Sequence, residues 1–303
     1  MTGLPRSLEA LLARLQETYD EATAAQIFET FRAPKDTAFI LNPLVAAPFD
    51  NPCEPVPGLE GCFLVPPAER ASLLADPAVT AGHVYPINPS SVLAANALTV
   101  DESMEVLDLA AAPGGKTLLL AIAMNNRGRI AAVEAVKGRF HRMRANLERC
   151  GVRNVQAYLA DGRSIGRKVP ERFDRVLLDA PCSSEARIRL DDPGSYAHWK
   201  PRKVKEAARK QRGLIRSAFA ALKPRGELLY CTCSFAPEEC ELIVDYLLNA
   251  EPAARLLPLN HTPGRSGLRS WAGRDLKDSL DGCRRILPDG TYDGFFLARI
   301  GKD

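Results

Sequence analysis

Three cysteines and an acid stand where reactive groups are expected. "LLDAPCSS" (residues 177–184) carries Asp179 and Cys182, and "LLYCTCSF" (228–235) carries Cys231 and Cys233. Each run is apolar up to its acid or thiols and then turns to serine, the pattern of a buried strand opening into a loop. Zinc would want four ligands at spacings such as C-x₂-C, whereas His83, His141, His198 and His261 are scattered, so no metal is expected. A Cys231–Cys233 disulfide would close a strained ring. Cys231, inside the apolar run, reads as core, as do Cys150, Cys240 and Cys283. If the two runs are neighbouring strands, about 4.8 Å apart, Cys182 and Cys233 face one cleft although 51 residues separate them. The spacing does not choose which of them is a nucleophile.

"AAAPGGKT" (110–117) offers glycines that let a ligand approach the backbone, followed by a helix N-terminus with unpaired N–H groups. A P-loop would need glycine where Ala110 stands, and G-x-G-x-x-G is absent. Glu134, 26 residues past Asp108, is placed to accept ribose hydroxyls, and Asp161 to take an exocyclic adenine amine. Singly, each acid reads as a cap or turn residue. Their joint placement points to a nucleoside cofactor without pyrophosphate, and S-adenosylmethionine fits.

Positioning these groups requires strands whose carboxyl ends converge. From residue 106 the chain alternates short apolar strands ("VLDLAA", "RIAAVEA", "VQAYLAD", "FDRVLLDA", "GELLYCTC") with amphipathic helices, including a basic one from about Lys203 to Leu222. Such alternation predicts a parallel sheet covered on both faces, a doubly wound α/β domain over 106–303 with its ligands at the strand ends. "RRILPDGTYDGFFLARI" reads as a closing antiparallel pair around an Asp-Gly turn at the sheet edge. Residues 1–105 read as a smaller module: two short helices built on Leu8, Leu11, Leu12, Leu15 and then Ile27, Phe28, Phe31, followed by a Pro-rich α+β segment.

Composition bounds the partners. Of 303 residues 46% are hydrophobic and 25% charged, a globular balance. No window approaches the roughly 18 apolar residues of a membrane span, no signal sequence opens the chain, and eight cysteines are too dilute for a secreted disulfide framework. These features predict a cytoplasmic protein without a membrane partner, read here as a monomer. Residues 1–105 hold 5 Lys/Arg against 14 Asp/Glu, a balance of −9, leaving +12 for 106–303. "KPRKVKEAARKQRGLIR" (200–216) is the densest basic stretch, with Glu206 its one acid. It is either a solvated helix face or the footprint of a phosphate backbone.

The run "LDLAAAPGGKT", Glu134 followed by Arg139, "LAD" at Asp161, "LLDAPCSS", "KQRGLIRSAFAALKPRGELLYCTCSFAPEECE" and "RRILPDGTYDGFFLARI" together resemble the RNA cytosine C5-methyltransferases of the NOL1/NOP2/Sun family, nearly throughout residues 85–300. The resemblance implies a Rossmann-like S-adenosylmethionine-dependent methyltransferase domain preceded by an RNA-binding module. It implies that Ala110, Ala111, Ala112, Pro113, Gly114, Gly115 and Lys116 wrap the methionine part of the cofactor, Glu134, beside Arg139, holds the ribose, and Asp161 meets the adenine. Asp179 would lie near both cofactor and target base. By the same resemblance Cys233 is the nucleophile and Cys182 assists product release. The expected substrate is ribosomal RNA, with transfer RNA second and a non-catalytic RNA-binding factor as the alternative class.

Cytosine C5 accepts a methyl group only after a nucleophile adds to C6, so the thiol must be partly ionised, which a positive cleft favours; Lys116 is a candidate source of that charge. Three stretches depart from the family. Ser184, Glu185 and Ala186 replace a glycine-containing loop, so glycine-only backbone angles are not expected there. Ile87 and Asn88 stand where Gln-Asp is usual, and Cys240 where Asn is common.

Overall fold

The computed structural model describes residues 4–260 and 262–303, so His261 lies outside the described residues. Two helices open the chain, α1 (Arg6–Thr18) and α2 (Glu21–Thr30). They break at Asp20, whose carboxylate caps α2 by accepting the Thr23 N–H at 2.8 Å. The apolar stripe Leu8, Leu11, Leu15, Ile27 and Phe28 is buried.

An antiparallel sheet follows, in the order β2 (Glu54–Pro55), β3 (Cys62–Val65), β1 (Thr37–Leu41), β4 (Val84–Pro86). Helices α3 (Arg70–Ala75), α4 (Pro77–Ala81) and α5 (Pro89–Asn96) complete this part. Asn88 caps α5, its side-chain oxygen accepting the Ser90 N–H at 2.8 Å, and Pro89 takes the first helical position, where a missing N–H costs nothing. Leu8, Ile27, Val92 and Leu98 share one apolar cluster with Val106, Leu118 and Met143, so this half packs directly against the larger sheet.

That sheet is built on β5 (Glu105–Asp108), β6 (Arg129–Glu134), β7 (Val155–Leu159), β8 (Phe173–Asp179) and β9 (Leu222–Thr232), all parallel, in the order β9-β8-β5-β6-β7. Val106, Leu107, Val176, Leu177, Leu228 and Leu229 are fully buried, as a sheet covered on both faces requires. Helices α6 (Gly115–Ala123) and α7 (Lys137–Arg149) pack with the opening helices on one face. On the other lie α8 (Ile165–Lys168), α10 (Pro201–Ala221) and α11 (Glu241–Ala250), with α9 (Pro193–Tyr196) in the loop before α10. This is the doubly wound Rossmann-like arrangement expected.

The carboxyl-terminal strands differ from expectation. Beyond β10 (Ala254–Leu257) and the short β11 (Arg265–Ser266), β12 (Ser270–Trp271) and β13 (Arg274–Asp275), the pair β14 (Arg284–Ile286) and β15 (Phe295–Lys302) is antiparallel. However, β15 is not at the edge: it pairs with β9 from Phe296 to Gly301 and with β14 and β10 on its other side. Phe296, Leu297 and Ala298 are correspondingly fully buried. On α10, Val204, Leu214 and Ile215 face the core, while Arg202, Lys205, Arg209, Arg212 and Arg216 form an exposed stripe. Part of that charge is answered internally, by Glu206 to Arg202 and Glu251 to Arg216.

Candidate active site

Strand register brings the thiols together. Asp179 is the Cα partner of Cys231 across β8 and β9, so the loops leaving both strands run side by side. The Cys182 Sγ lies 3.2 Å from the Cys233 Sγ, and both are free thiols. Cys233 is 8% exposed and Cys231 fully buried. Cys231 is thus the core residue expected, with its Sγ 3.8 Å from Asp179 Oδ1. Burial, then the Asp179 charge, push its pKa well up.

The two reactive thiols are electrostatically unlike. The contact with Cys182 favours a thiolate on Cys233 and outweighs burial, with the Arg187 charge assisting, so its pKa is lowered. The same contact, then burial and the charges of Glu239 and Asp179, raise Cys182 well above an ordinary thiol. The contact thus biases a proton toward Cys182 and favours thiolate character on Cys233, the character a sulfur nucleophile needs.

Lys116, 8% exposed at the start of α6, donates to Asp179 Oδ2 at 2.6 Å and to Ser91 Oγ of α5 at 2.9 Å, with Phe295 of β15 beneath its charge at 5.3 Å. Burial acts to lower its pKa, and Asp179 outweighs it. The lysine is thus committed to Asp179 before it acts on a thiol. Gly114 precedes α6 at φ 107°, a conformation costly for any other residue, which explains the glycine there. Asp108 ends β5 with Oδ2 accepting from Thr117 Oγ1 at 2.7 Å; its Oδ1 is buried without a partner. Burial pushes Asp108 up to about 7.

These groups open into a cleft of about 360 Å³, whose walls include Asp108, Ala110, Ala111, Ala112, Pro113, Gly115, Lys116, Asp179 and Cys233. Gly114, Glu134, Arg139, Asp161 and Cys182 are not among its lining residues. Glu134 is buried at the end of β6 and accepts the Val136 N–H at 2.8 Å; Arg139 lies 3.6 Å away and donates to the Ala112 carbonyl at 2.7 Å. Arg139 therefore links the end of β6 to the glycine loop. Asp161 is exposed, caps the turn after β7 through the Arg163 N–H, and pairs with the Arg163 guanidinium at 2.6 Å.

Other residues take roles that the sequence did not assign them. Glu185 is buried and its Oε2 accepts the N–H groups of Phe235 (2.9 Å) and Ala236 (3.0 Å), while Oε1 accepts from Trp199 Nε1 at 3.2 Å. Glu239 accepts from the Ser183 N–H at 2.9 Å, Gln211 at 2.9 Å and Ser234 Oγ at 3.1 Å. The two carboxyls clamp the Cys182 loop to the Cys233 loop. Ser184, between them, adopts φ 63°, the left-handed basin that a non-glycine residue reaches at roughly 1–2 kcal/mol. The loop thus takes that turn without glycine, held by the clamp. Asn88 donates to Asp293 Oδ2 at 2.6 Å, so this departure from the family ties α5 to the loop before β15. Arg187 and Asp293 also line the cleft.

Among the described residues no cluster of His, Cys, Asp and Glu could hold a metal, and no helix is long and apolar enough to cross a membrane. Ribosomal RNA small subunit methyltransferase F of Escherichia fergusonii is 38% identical over 267 residues, 85% of this chain; the chain spans 53% of that relative's length. A solved methyltransferase homolog from Pyrococcus horikoshii is 31% identical with a TM-score of 0.81, covering 99% of this chain and all of the other. The structure titled NSun6 from Pyrococcus horikoshii with SFG is 22% identical with a TM-score of 0.77 over 98% of each chain, a likeness of fold. Residues 95–301 match the family described as 16S rRNA methyltransferase RsmB/F, and the chain belongs to that family.

Proposed function

We propose that this protein methylates C5 of cytosine in RNA, with small-subunit ribosomal RNA as the preferred substrate and S-adenosylmethionine as donor. The observation that carries the reading is the Cys182–Cys233 contact at 3.2 Å beside the Lys116–Asp179 pair. Two thiols in contact at the ends of adjacent strands, with the pKa of Cys233 lowered and that of Cys182 raised, suit a sulfur nucleophile with a proton partner beside it.

The cleft residues suit the donor. Asp108 Oδ1 is a buried acceptor without a partner, and a Cβ at Gly115 would stand 3.0 Å from Ile87 Cδ1, so glycine keeps that wall of the cleft open. Acids at the strand ends favour a cationic sulfonium ligand and provide no counter-charge for a pyrophosphate. Ala110 to Lys116 would hold the methionine part, Glu134 the ribose, and Asp161 the adenine once it exchanges Arg163. When bound, the donor supplies an electrophilic methyl group. The Cys233 thiolate adds to C6 of a base taken out of its stack, and Asp179 accepts from the exocyclic amine beside N3 as electron density moves to C5. After methylation the C5 proton passes to solvent water, the electrons of the C5–H bond restore the C5–C6 double bond, and the C6–S bond breaks with its electrons returning to Cys233. Cys182 assists that departure.

Incubation with donor labelled in the methyl group tests the reading. Label should enter cytosine C5 of 16S ribosomal RNA rather than transfer RNA, and Cys233→Ala should abolish it while retaining donor binding by calorimetry. Labelled transfer RNA alone would move the substrate, and donor binding absent from the wild type would favour a non-catalytic RNA-binding factor.

A further inference from the structure

A second cleft, of about 320 Å³, adjoins the first and shares with it a wall of Pro86, Ile87, Asn88, Arg187 and Asp293. Its far side comes from the amino-terminal half: Lys35, Thr37 and Arg70. Six charged residues line it, and three of them, Lys35, Asp293 and Arg189, are paired, while Asp36 is an exposed acid with no ion pair among the described residues. Lys35 pairs with Asp293, and Arg189 with Asp191 at 2.6 Å. Two cations are different. Among the described residues the Arg187 guanidinium has no hydrogen bond or ion pair within 4 Å; the charge of Cys233 raises its pKa most, against burial, with Asp179, Cys182 and Asp293 adding to it. Arg70, exposed on the first turn of α3, has Thr37 Oγ1 at 3.2 Å and, among the described residues, no counter-ion.

A base that leaves its stack stays bonded to a phosphate on each side, so a polynucleotide whose cytosine occupies the first cleft must cross its rim. Arg187 stands on the rim shared with the second cleft, and Arg70 stands across that cleft, facing the same volume. Guanidinium groups without counter-ions are suited to phosphate, whose oxygens match their fork of donors. The apolar surfaces of Pro86, Ile87 and Ile188 offer a wall for a flanking base. Resting on the function proposed above, we infer that the second cleft holds the nucleotide next to the target cytidine, with Arg187 and Arg70 binding its phosphates. The amino-terminal half thereby completes the substrate site.

The test uses the full chain and a short single-stranded oligoribonucleotide containing one cytidine, with affinity measured against salt concentration. Removing one arginine–phosphate pair should flatten the log–log salt slope by about 0.7. Arg70→Ala and Arg187→Ala should each show this, with affinity roughly tenfold weaker, while Arg70→Lys and Arg187→Lys keep the slope. Arg70→Ala should raise KM for RNA without lowering kcat, and its donor binding by calorimetry should be unchanged. Wild-type slopes in both alanine variants, with RNA methylated normally by Arg70→Ala, would remove the second cleft and leave the methyltransferase reading intact. A wild-type protein that neither binds nor methylates RNA would overturn both. Loss of donor binding in Arg70→Ala would mark a structural role and also count against the inference.

Discussion

A thiol becomes a nucleophile at neutral pH only if something stabilises its anion, and here the contact between Cys182 and Cys233 comes first, lowering Cys233 and raising Cys182. Arg187 further favours charge on Cys233, and Glu239 further opposes it on Cys182. The thiolate fraction rises with pH, so methyl transfer under single-turnover conditions should rise through an inflection below the ordinary thiol value of about 8.5. Replacing Arg187 by Gln removes a stabilising cation and should move that inflection to higher pH. An inflection at or above the ordinary value in the wild type, or one that Arg187→Gln leaves in place, would contradict the assignment. The residues that could be read from sequence were those whose local pattern announces a strand end: Asp179, Cys182, Cys233 and the "PGGK" turn. Arg187 and Asp293 act through neighbours far along the chain, and no local spacing marks them.

At the level of elements, the site depends on two loops held together by Glu185 and Glu239 rather than on either strand alone. Burial and the nearby Glu185 charge push Glu239 up to about 7, against an ordinary glutamate value of about 4.3. A carboxyl raised on folding favours the folded state most below its unfolded value, and that advantage is lost as pH rises toward 7. Thermal unfolding should therefore show a stability decline between about pH 4.5 and 7 that is shallower in Glu239→Gln; identical slopes in the two proteins would exclude Glu239 as its source. The clamp was hidden in sequence because Glu185 looked like a departure in a glycine loop and Glu239 like a helix-start acid. The strands themselves were legible from their apolar runs. The placement of β15 inside the sheet was not, because a final hairpin is compatible with either an edge or an interior position until its second strand finds a partner.

Across the whole molecule, the opening helices are fastened to the loop that follows Cys233. Arg285, 3% exposed, pairs with the fully buried Glu241 and also donates to the Tyr19 hydroxyl at 2.6 Å and the Phe235 carbonyl at 2.9 Å. Arg14 of α1 forks onto Glu238 at 2.7 and 2.8 Å. The chain segment two residues past Cys233 is thus anchored from a part of the sequence more than two hundred residues away. Glu241→Gln would strand the buried guanidinium, and chemical denaturation should register a loss of roughly 3–5 kcal/mol; a loss under about 1 kcal/mol would show the pair to be dispensable. All of this architecture converges on one sulfur atom. Its role is tested most directly by incubating Cys182→Ser with donor and RNA and resolving the products on a denaturing gel. We expect a protein–RNA adduct that shifts the band, absent from the Cys182→Ser/Cys233→Ala double variant. An adduct that persists without Cys233, or none from a folded Cys182→Ser protein that binds donor, would contradict Cys233 as the nucleophile released with the help of Cys182.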